Sequence, residues 1–211
     1  CALPICFHDW AQVMAKHVEG LHCISKATAQ AVSTHLNTTA KVQWFHLGSD
    51  IEASMPSLTS SPAEHGLLAS WDDRPTVCMV STVEPRKGHR QMLDAMEQLW
   101  GQGRAVRLVI VGKPGWMVDT LLERIRSHPQ RGENLFWFES ASDALLEAVY
   151  QRSDLFVMAS EGEGFGLPIV EAARYGLALL LRDLPVFREI ADGYAMWFDD
   201  DQALPHAITR A

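Results

Sequence analysis

No run of eighteen apolar residues occurs in this 211-residue chain, so no transmembrane helix is expected. Cysteine is scarce: Cys1, Cys6, Cys23 and Cys78 include no CxxC pair and lie in or near apolar runs. That excludes a disulfide framework and a zinc finger, and predicts buried thiols of a cytoplasmic protein. The nine histidines form no HxxxH or HxH cluster, so no metal site is expected. Positive charge is in the minority, 18 Lys and Arg against 26 Asp and Glu, and forms no basic stripe. A nucleic-acid partner is excluded on that ground. Residues 1–20 lack the n-region and h-region of a signal peptide. The first residue is Cys rather than Met, and a fragment of a longer chain is expected. No internal repeat or low-complexity tract is present.

What is present is ordinary globular material, 47% hydrophobic, in which strand-like and helix-like segments alternate from Thr76 onward. Strands are expected at Thr76–Val83, Arg107–Val111, Leu135–Phe138, Leu155–Ala159 and Ala178–Leu181. Helices are expected near residues 89–100, 116–127, 143–151 and 168–175, with the start of another at Ala203–Ala211. The expected fold class is α/β, a Rossmann-like parallel sheet with flanking helices. Ligands of such sheets bind beyond the carboxyl ends of the strands. Arg86, Lys87, Gly112, Lys113, Ser140, Glu163 and Gly164 all follow strands and should share that rim. Upstream, residues 8–19 read as a helix, Leu21–Ile24 as a strand, Lys26–Leu36 as a helix and Val42–Phe45 as a strand. Residues 48–74, with Pro56, Ser57, Ser60, Ser61 and Pro62, have linker composition.

The segment Glu-Gly-Glu-Gly-Phe-Gly-Leu-Pro-Ile-Val-Glu, residues 161–171, carries the most chemistry. It joins an apolar strand to a helix that Pro168 starts and Gly176 stops. Gly162, Gly164 and Gly166 let the backbone approach a ligand, and the amides of the helix start favour an anion. Glu163 and Glu171 can face one pocket from two sides, and ionised carboxylates accept hydrogen bonds from vicinal sugar hydroxyls. The competing structural role for Glu171 is to complement the helix dipole, and for Glu163 to be a solvated loop charge. The first strand is followed by Ser81-Thr-Val-Glu-Pro-Arg-Lys-Gly-His89. A GxGxxG fingerprint is missing there, which disfavours an NAD-dependent oxidoreductase. Arg86 and Lys87 instead offer a planar fork and a compact charge, both suited to phosphate. Trp137 and Phe138 are read as core rather than as walls for a nucleobase. Arg182, Arg188 and Glu189 are expected to form surface ion pairs.

The Glu-x7-Glu spacing of Glu163 and Glu171, together with the Arg86-Lys87 loop, resembles glycosyltransferase family 4. The stretches at residues 111–119 and 182–189 add a likeness to bacterial O-antigen mannosyltransferases. The resemblance covers most of the chain from about residue 20, and it implies the donor-binding half of a GT-B fold. Residues 1–47 would be the C-terminal remnant of the acceptor-side domain, 48–74 a linker, and 75–211 the donor domain, truncated at its end. The implied reaction is retaining transfer of a hexose, most of all mannose from GDP-mannose, to a hydroxyl of a growing glycan. By the same resemblance Arg86 and Lys87 hold the diphosphate and Glu163 the donor sugar. Glu171 would hold the ribose; apart from the resemblance, the amides around Gly164, Phe165, Gly166 and Leu167 are read as meeting the nucleotide's phosphates, and Lys113 either as a contact to the base or a phosphate or as a solvated loop charge. No cofactor or metal is implied beyond the nucleotide-sugar donor. The acceptor, a glycan or lipid-linked glycan, would be held by the other domain, and the whole enzyme would be cytoplasmic, peripheral at the inner membrane. Ser81 and Thr82 depart from the family, whose members often carry Gly and a diphosphate-binding Arg there, which leaves Arg86 to compensate. UDP- or ADP-sugar donors, and a silent nucleotide-sugar-binding fragment, are the alternatives.

Overall fold

The computed structural model describes residues 3–48, 66, 68 and 71–211, with side chains from His8 onward. Cys1 and residues 49–65, 67, 69 and 70 of the expected linker lie outside the described residues, and so does the Cys6 side chain. Within that linker segment Leu68 is buried, 3% exposed, against the main core.

The chain opens with α1 (Leu3–Ala15), β1 (Gly20–Cys23), α2 (Lys26–His35) and β2 (Lys41–Trp44). The two strands pair in parallel, Gly20 opposite Lys41 and Cys23 opposite Trp44. α1 therefore starts and stops earlier than the expected 8–19, its end tightened by Lys16 and His17 amides bonded to Val13 and Met14 carbonyls. Ser25 caps α2 by accepting from the Thr28 amide at 3.0 Å.

A second, six-stranded sheet follows. In chain order it comprises β3 (Thr76–Val80), α3 (His89–Gly101), β4 (Arg107–Val111), α4 (Asp119–Arg126), β5 (Leu135–Phe138), α5 (Asp143–Gln151) and β6 (Leu155–Met158). It continues through α6 (Leu167–Arg174), β7 (Ala178–Arg182), α7 (Pro185–Ala191), β8 (Met196–Phe198) and α8 (Leu204–Arg210). All pairings are parallel, in the order β5-β4-β3-β6-β7-β8, so the expected α/β class is met. The inner strands β4 and β6 are buried along their whole length, which is why Leu108–Val111 and Leu155–Met158 read as unbroken apolar runs. Alternate residues divide the core. Met79, Leu108, Ile110 and Val157 face Met92, Met96, Ile125 and Leu204 on one side, while Cys78, Val109, Phe156 and Leu181 face Val149, Ile169 and Phe187 on the other. Each such large side chain contributes about 1.5–3 kcal/mol by burial, and Phe156→Ala would remove about 3–5 kcal/mol.

Besides α1, and α4, which starts at Asp119 rather than near residue 116, three details differ from the sequence expectation. β3 stops at Val80, not Val83, because its last residues leave the sheet to meet the next loop. There Ser81 and Val83 amides bond to Val111 and Lys113 carbonyls, and a Cβ on Gly112 would lie 1.9 Å from the Ser81 oxygen. Second, Pro85–Lys87 forms a short 3-10 turn. Third, residues 185–198 hold α7 and β8, which the sequence reading left unassigned even though Pro185 marks a first helical turn. Trp137 is core, as expected, with its indole N–H donating to the Gly112 carbonyl at 2.9 Å. Cys23 and Cys78 are buried free thiols, and burial pushes Cys78 up to about 12. Among the described residues, no helix is long and apolar enough to cross a membrane.

Candidate active site

The centre of the sheet is the point where β3 lies between β4 and β6, and the loops leaving β3 and β6 meet above it. Gly88, at φ 77°, closes the first loop so tightly against the second that a Cβ would stand 2.3 Å from the Ala159 carbonyl oxygen. Only glycine fits that position. The Glu161 amide donates to the Arg86 carbonyl at 2.8 Å and stitches the loops together. Gly166, at φ 106°, then turns the chain into α6, whose N-terminus has Pro168 in its first turn and no side-chain cap. An uncapped helix start leaves amide donors and the positive end of the dipole for an anion.

Glu163 gathers the charged groups here. Its Oε1 accepts from Lys87 Nζ at 2.5 Å and from Ser160 Oγ at 2.8 Å, and its Oε2 lies 3.4 Å from Arg86 Nη1. Arg86 Nη1 also donates to the Gly162 carbonyl at 2.8 Å, and Nη2 lies 3.3 Å from Glu84. The Glu163 and Lys87 side chains are 9% and 12% exposed, so their attraction is weakly screened. Below them His89 is fully buried; burial first, then the Lys87 charge, push its imidazole down to about 3. It is therefore neutral at physiological pH and adds no cation to the loop.

Glu171 has a different setting. It lies on α6 and accepts from the Tyr150 hydroxyl of α5 at 2.8 Å. Burial raises its carboxyl above the usual range and the Asp143 charge adds to the rise, which the Tyr150 hydrogen bond only partly offsets. The structure thus brings Arg86, Lys87 and Glu163 into contact and sets Glu171 against Tyr150. Lys113 is exposed, and the carbonyl of that residue, not the ammonium, makes the loop contact with Val83. Phe165 is buried, its ring 5.5 Å from that of His46, and Leu167 is half-buried.

The sequence reading missed what holds the glycine loop from the other side. The Gly164 carbonyl accepts from Ser25 Oγ at 2.7 Å and Thr28 Oγ1 at 3.1 Å, both at the start of α2. Glu189, expected in an ion pair, makes one with His46 Nε2 at 2.6 Å, and it also accepts from the Lys26 and Ala27 amides, each at 2.8 Å, which the sequence does not announce. The reason is geometric: α7 points Glu189 at the amide end of α2, where an anion is favoured. Burial opposes ionisation of Glu189, but these donors outweigh it and hold the carboxyl below its usual range. Arg182 and Arg188 do form the expected ion pairs, with Asp201 and with Asp183 and Asp192.

The family model for glycosyl transferases group 1 matches residues 62–211, which span every element from β3 to α8. The chain belongs to this family. It is 43% identical over 97% of its length to the serotype-specific mannosyltransferase WbdA of Escherichia coli, covering 26% of that protein. It is 29% identical over 74% of its length to a D-inositol 3-phosphate glycosyltransferase of Mycobacteroides abscessus, covering 35% of it. The chain thus spans about a quarter to a third of the curated relatives it matches. Among solved structures, sucrose-phosphate synthase from Thermosynechococcus elongatus superposes with a TM-score of 0.75 at 19% identity. That match covers 96% of this chain and 51% of the synthase, and shows the shared GT-B glycosyltransferase fold.

For a glycosyl transferase of this group, the contact between the loops leaving β3 and β6 has a direct chemical meaning. Departure of a nucleotide builds negative charge on its distal phosphate. Two cations and an uncapped helix end sit together where such charge can be met. Glu163 is held between those cations. Among the described residues no group of three His, Cys, Asp or Glu side chains is arranged to hold a metal ion.

Proposed function

We propose that this chain is the donor-binding part of a retaining mannosyltransferase that uses GDP-mannose to extend a cell-surface glycan. The observation that carries the reading is the Arg86–Lys87–Glu163 cluster at the start of α6. The mannosyltransferase name of the WbdA relative supports the sugar, and the Glu-x7-Glu resemblance supports retention. In this reading Lys87, which has three donors, keeps one on Glu163 and turns the others to the distal phosphate. Arg86 and the first amides of α6 share the charge that develops as the diphosphate leaves, so they stabilise the transition state more than the ground state. Glu163 orients the donor sugar through its hydroxyls, and Glu171 accepts from the ribose. The positive charge needed at the leaving group comes from the protein, with no metal or further cofactor. Residues 75–211 form the donor domain, and the α1–β2 segment belongs to the acceptor-side domain, whose glycan or lipid-linked acceptor it helps to face. The whole enzyme works in the cytoplasm.

The test is calorimetry with GDP, UDP, ADP and their mannose or glucose conjugates, run beside a transfer assay with a mannose-terminated acceptor. GDP and GDP-mannose should bind at least about tenfold more tightly than the UDP and ADP ligands, a difference of about 1.4 kcal/mol. Preference for a UDP- or ADP-sugar would replace the donor. Binding with little or no transfer by this chain alone is the outcome expected of a donor-binding part, and robust acceptor-dependent transfer by it would overturn that division of labour.

A further inference from the structure

On the other side of the Arg86 turn lies a cavity of about 580 Å³, of whose lining the donor reading uses Arg86 alone. It opens between the Pro85–Lys87 turn, the start of α3 and the segment running from Trp116 into α4. Its size is that of an ordinary small-molecule site.

We infer that this cavity is a saccharide subsite, one that holds part of the acceptor glycan beside the donor sugar. The inference rests on the proposed transfer reaction for the identity of the glycan, but on the cavity itself for the class of ligand. Three observations converge. Trp116 is 54% exposed on the cavity wall and Met117 is 82% exposed next to it. Met117 is also the non-glycine residue with positive φ, 53°, among the described residues. Strained backbone of this kind persists where its surroundings over-determine it. The root of the segment is fixed: the Gly115 amide donates to the Val83 carbonyl at 2.9 Å, and a Cβ on Gly115 would lie 2.6 Å from that oxygen. The indole is thus presented from a fixed base rather than from a loose loop.

The polar groups of the wall select the ligand. Glu84 and Glu161 supply acceptors, and Gln91, 6% exposed, donates to Glu161 at 2.9 Å. Arg90 and Arg124 supply donors, but Arg124 is already paired with Asp94 and Glu97 at 2.7 and 2.5 Å. Glu84 and Glu161 on the wall oppose a phosphate, Arg86 is shared with Glu84 at 3.3 Å and Arg124 with Asp94 and Glu97, so the wall offers mixed hydrogen-bonding groups more than a concentrated positive charge. A ring that presents C–H groups on its face and hydroxyls at its edge satisfies an exposed indole and mixed donors and acceptors at once. Carbohydrate has that pattern. The place is right for an acceptor as well, since Arg86 lines the cavity and also reaches the Gly162 carbonyl and Glu163.

The experiment titrates the chain and its Trp116→Ala and Trp116→Phe variants with an α-linked mannotriose, followed by saturation-transfer NMR, and in parallel with GDP by calorimetry. Trp116 is exposed, so both variants should unfold at the temperature of the unaltered chain. Mannotriose should bind the unaltered chain, bind Trp116→Ala about tenfold more weakly, and bind Trp116→Phe within about threefold, because a ring face is kept. GDP affinity should be the same for all three. Absence of mannotriose binding, or equal binding by Trp116→Ala, overturns the subsite; GDP binding in that case leaves the donor reading standing. Conversely, Trp116-dependent mannotriose binding without any GDP binding supports the subsite and overturns the donor reading.

Discussion

Glu163 and Glu171 are the same residue type eight positions apart, yet the loop and the helix flank treat them in opposite ways. Glu163 lies among donors, with Lys87, Arg86 and Ser160 around its oxygens. Glu171 is pressed against α5, where burial and Asp143 disfavour its charge and Tyr150 supplies one hydrogen bond. The loop carboxylate is thus part of a compensated ion cluster. The helix carboxylate is a charge kept at a cost. A buried charge without a full set of partners is expensive, and such a group is retained where a ligand supplies what the protein withholds. Under the proposed function, the cluster would grip the donor sugar and Glu171 would take up the ribose.

The strongest way to break the contrast is Lys87→Ala. It leaves Glu163 with much of its charge uncompensated in a poorly solvated place, and should lower stability by about 3–5 kcal/mol. Urea unfolding measures it, and a loss under about 1 kcal/mol would show that the cluster is solvated after all. Next, Glu163→Gln should weaken GDP-mannose by about 1.5–3 kcal/mol, the worth of a hydrogen bond to a charged group. GDP should bind at least as tightly as before, since Lys87 is released toward the phosphate. Equal weakening of both ligands would remove the sugar from Glu163.

Glu189 sharpens the comparison as a third carboxylate, held by amides and His46 rather than by lysine. Glu189→Ala should cost about 0.5–2 kcal/mol, as for loss of a helix cap. Its folded carboxyl lies below the ordinary value of 4.5, so its contribution is complete above that value and is lost as pH falls through the lower folded one. The variant should therefore unfold with a flatter acid limb, and an unchanged acid limb would count against the latch. The smallest effect belongs to Glu171→Gln. Here the folded carboxyl lies above 4.5, so the relative stability is full below that value and lost as pH rises through the folded one. The variant should be more stable than the parent at pH 7 by under about 1 kcal/mol. The gain should vanish in acid, while GDP and GDP-mannose weaken alike. A loss of stability at pH 7 would instead mark Glu171 as a dipole partner.

Much of this was legible in the chain itself. The apolar runs at Arg107–Val111 and Leu155–Met158 became central strands because both faces of a parallel sheet are covered. Pro168 and Gly166 marked the start of α6. What escaped was short or depended on distance. β8 has three residues and α7 has seven, too few for a period to show, although Pro185 was a usable signal. β3 was drawn too long because Ser81–Val83 stay extended while pairing with a loop rather than a strand.

The sequence by itself determined which residues could do chemistry and that they would stand after strands, since turn glycines, first-turn prolines and two-residue alternation act between neighbours in the chain. Only the tertiary structure decided which charges meet. Lys87 and Glu163 are 76 positions apart, Glu189 and Lys26 are 163 apart, and Trp116 and Glu161 line one cavity. The Lys87–Glu163 contact follows from the strand order that sets β6 beside β3, and the Glu189–Lys26 contact from the packing of α7 on α2; both are fixed by the packing of whole layers, which no local stretch of residues encodes.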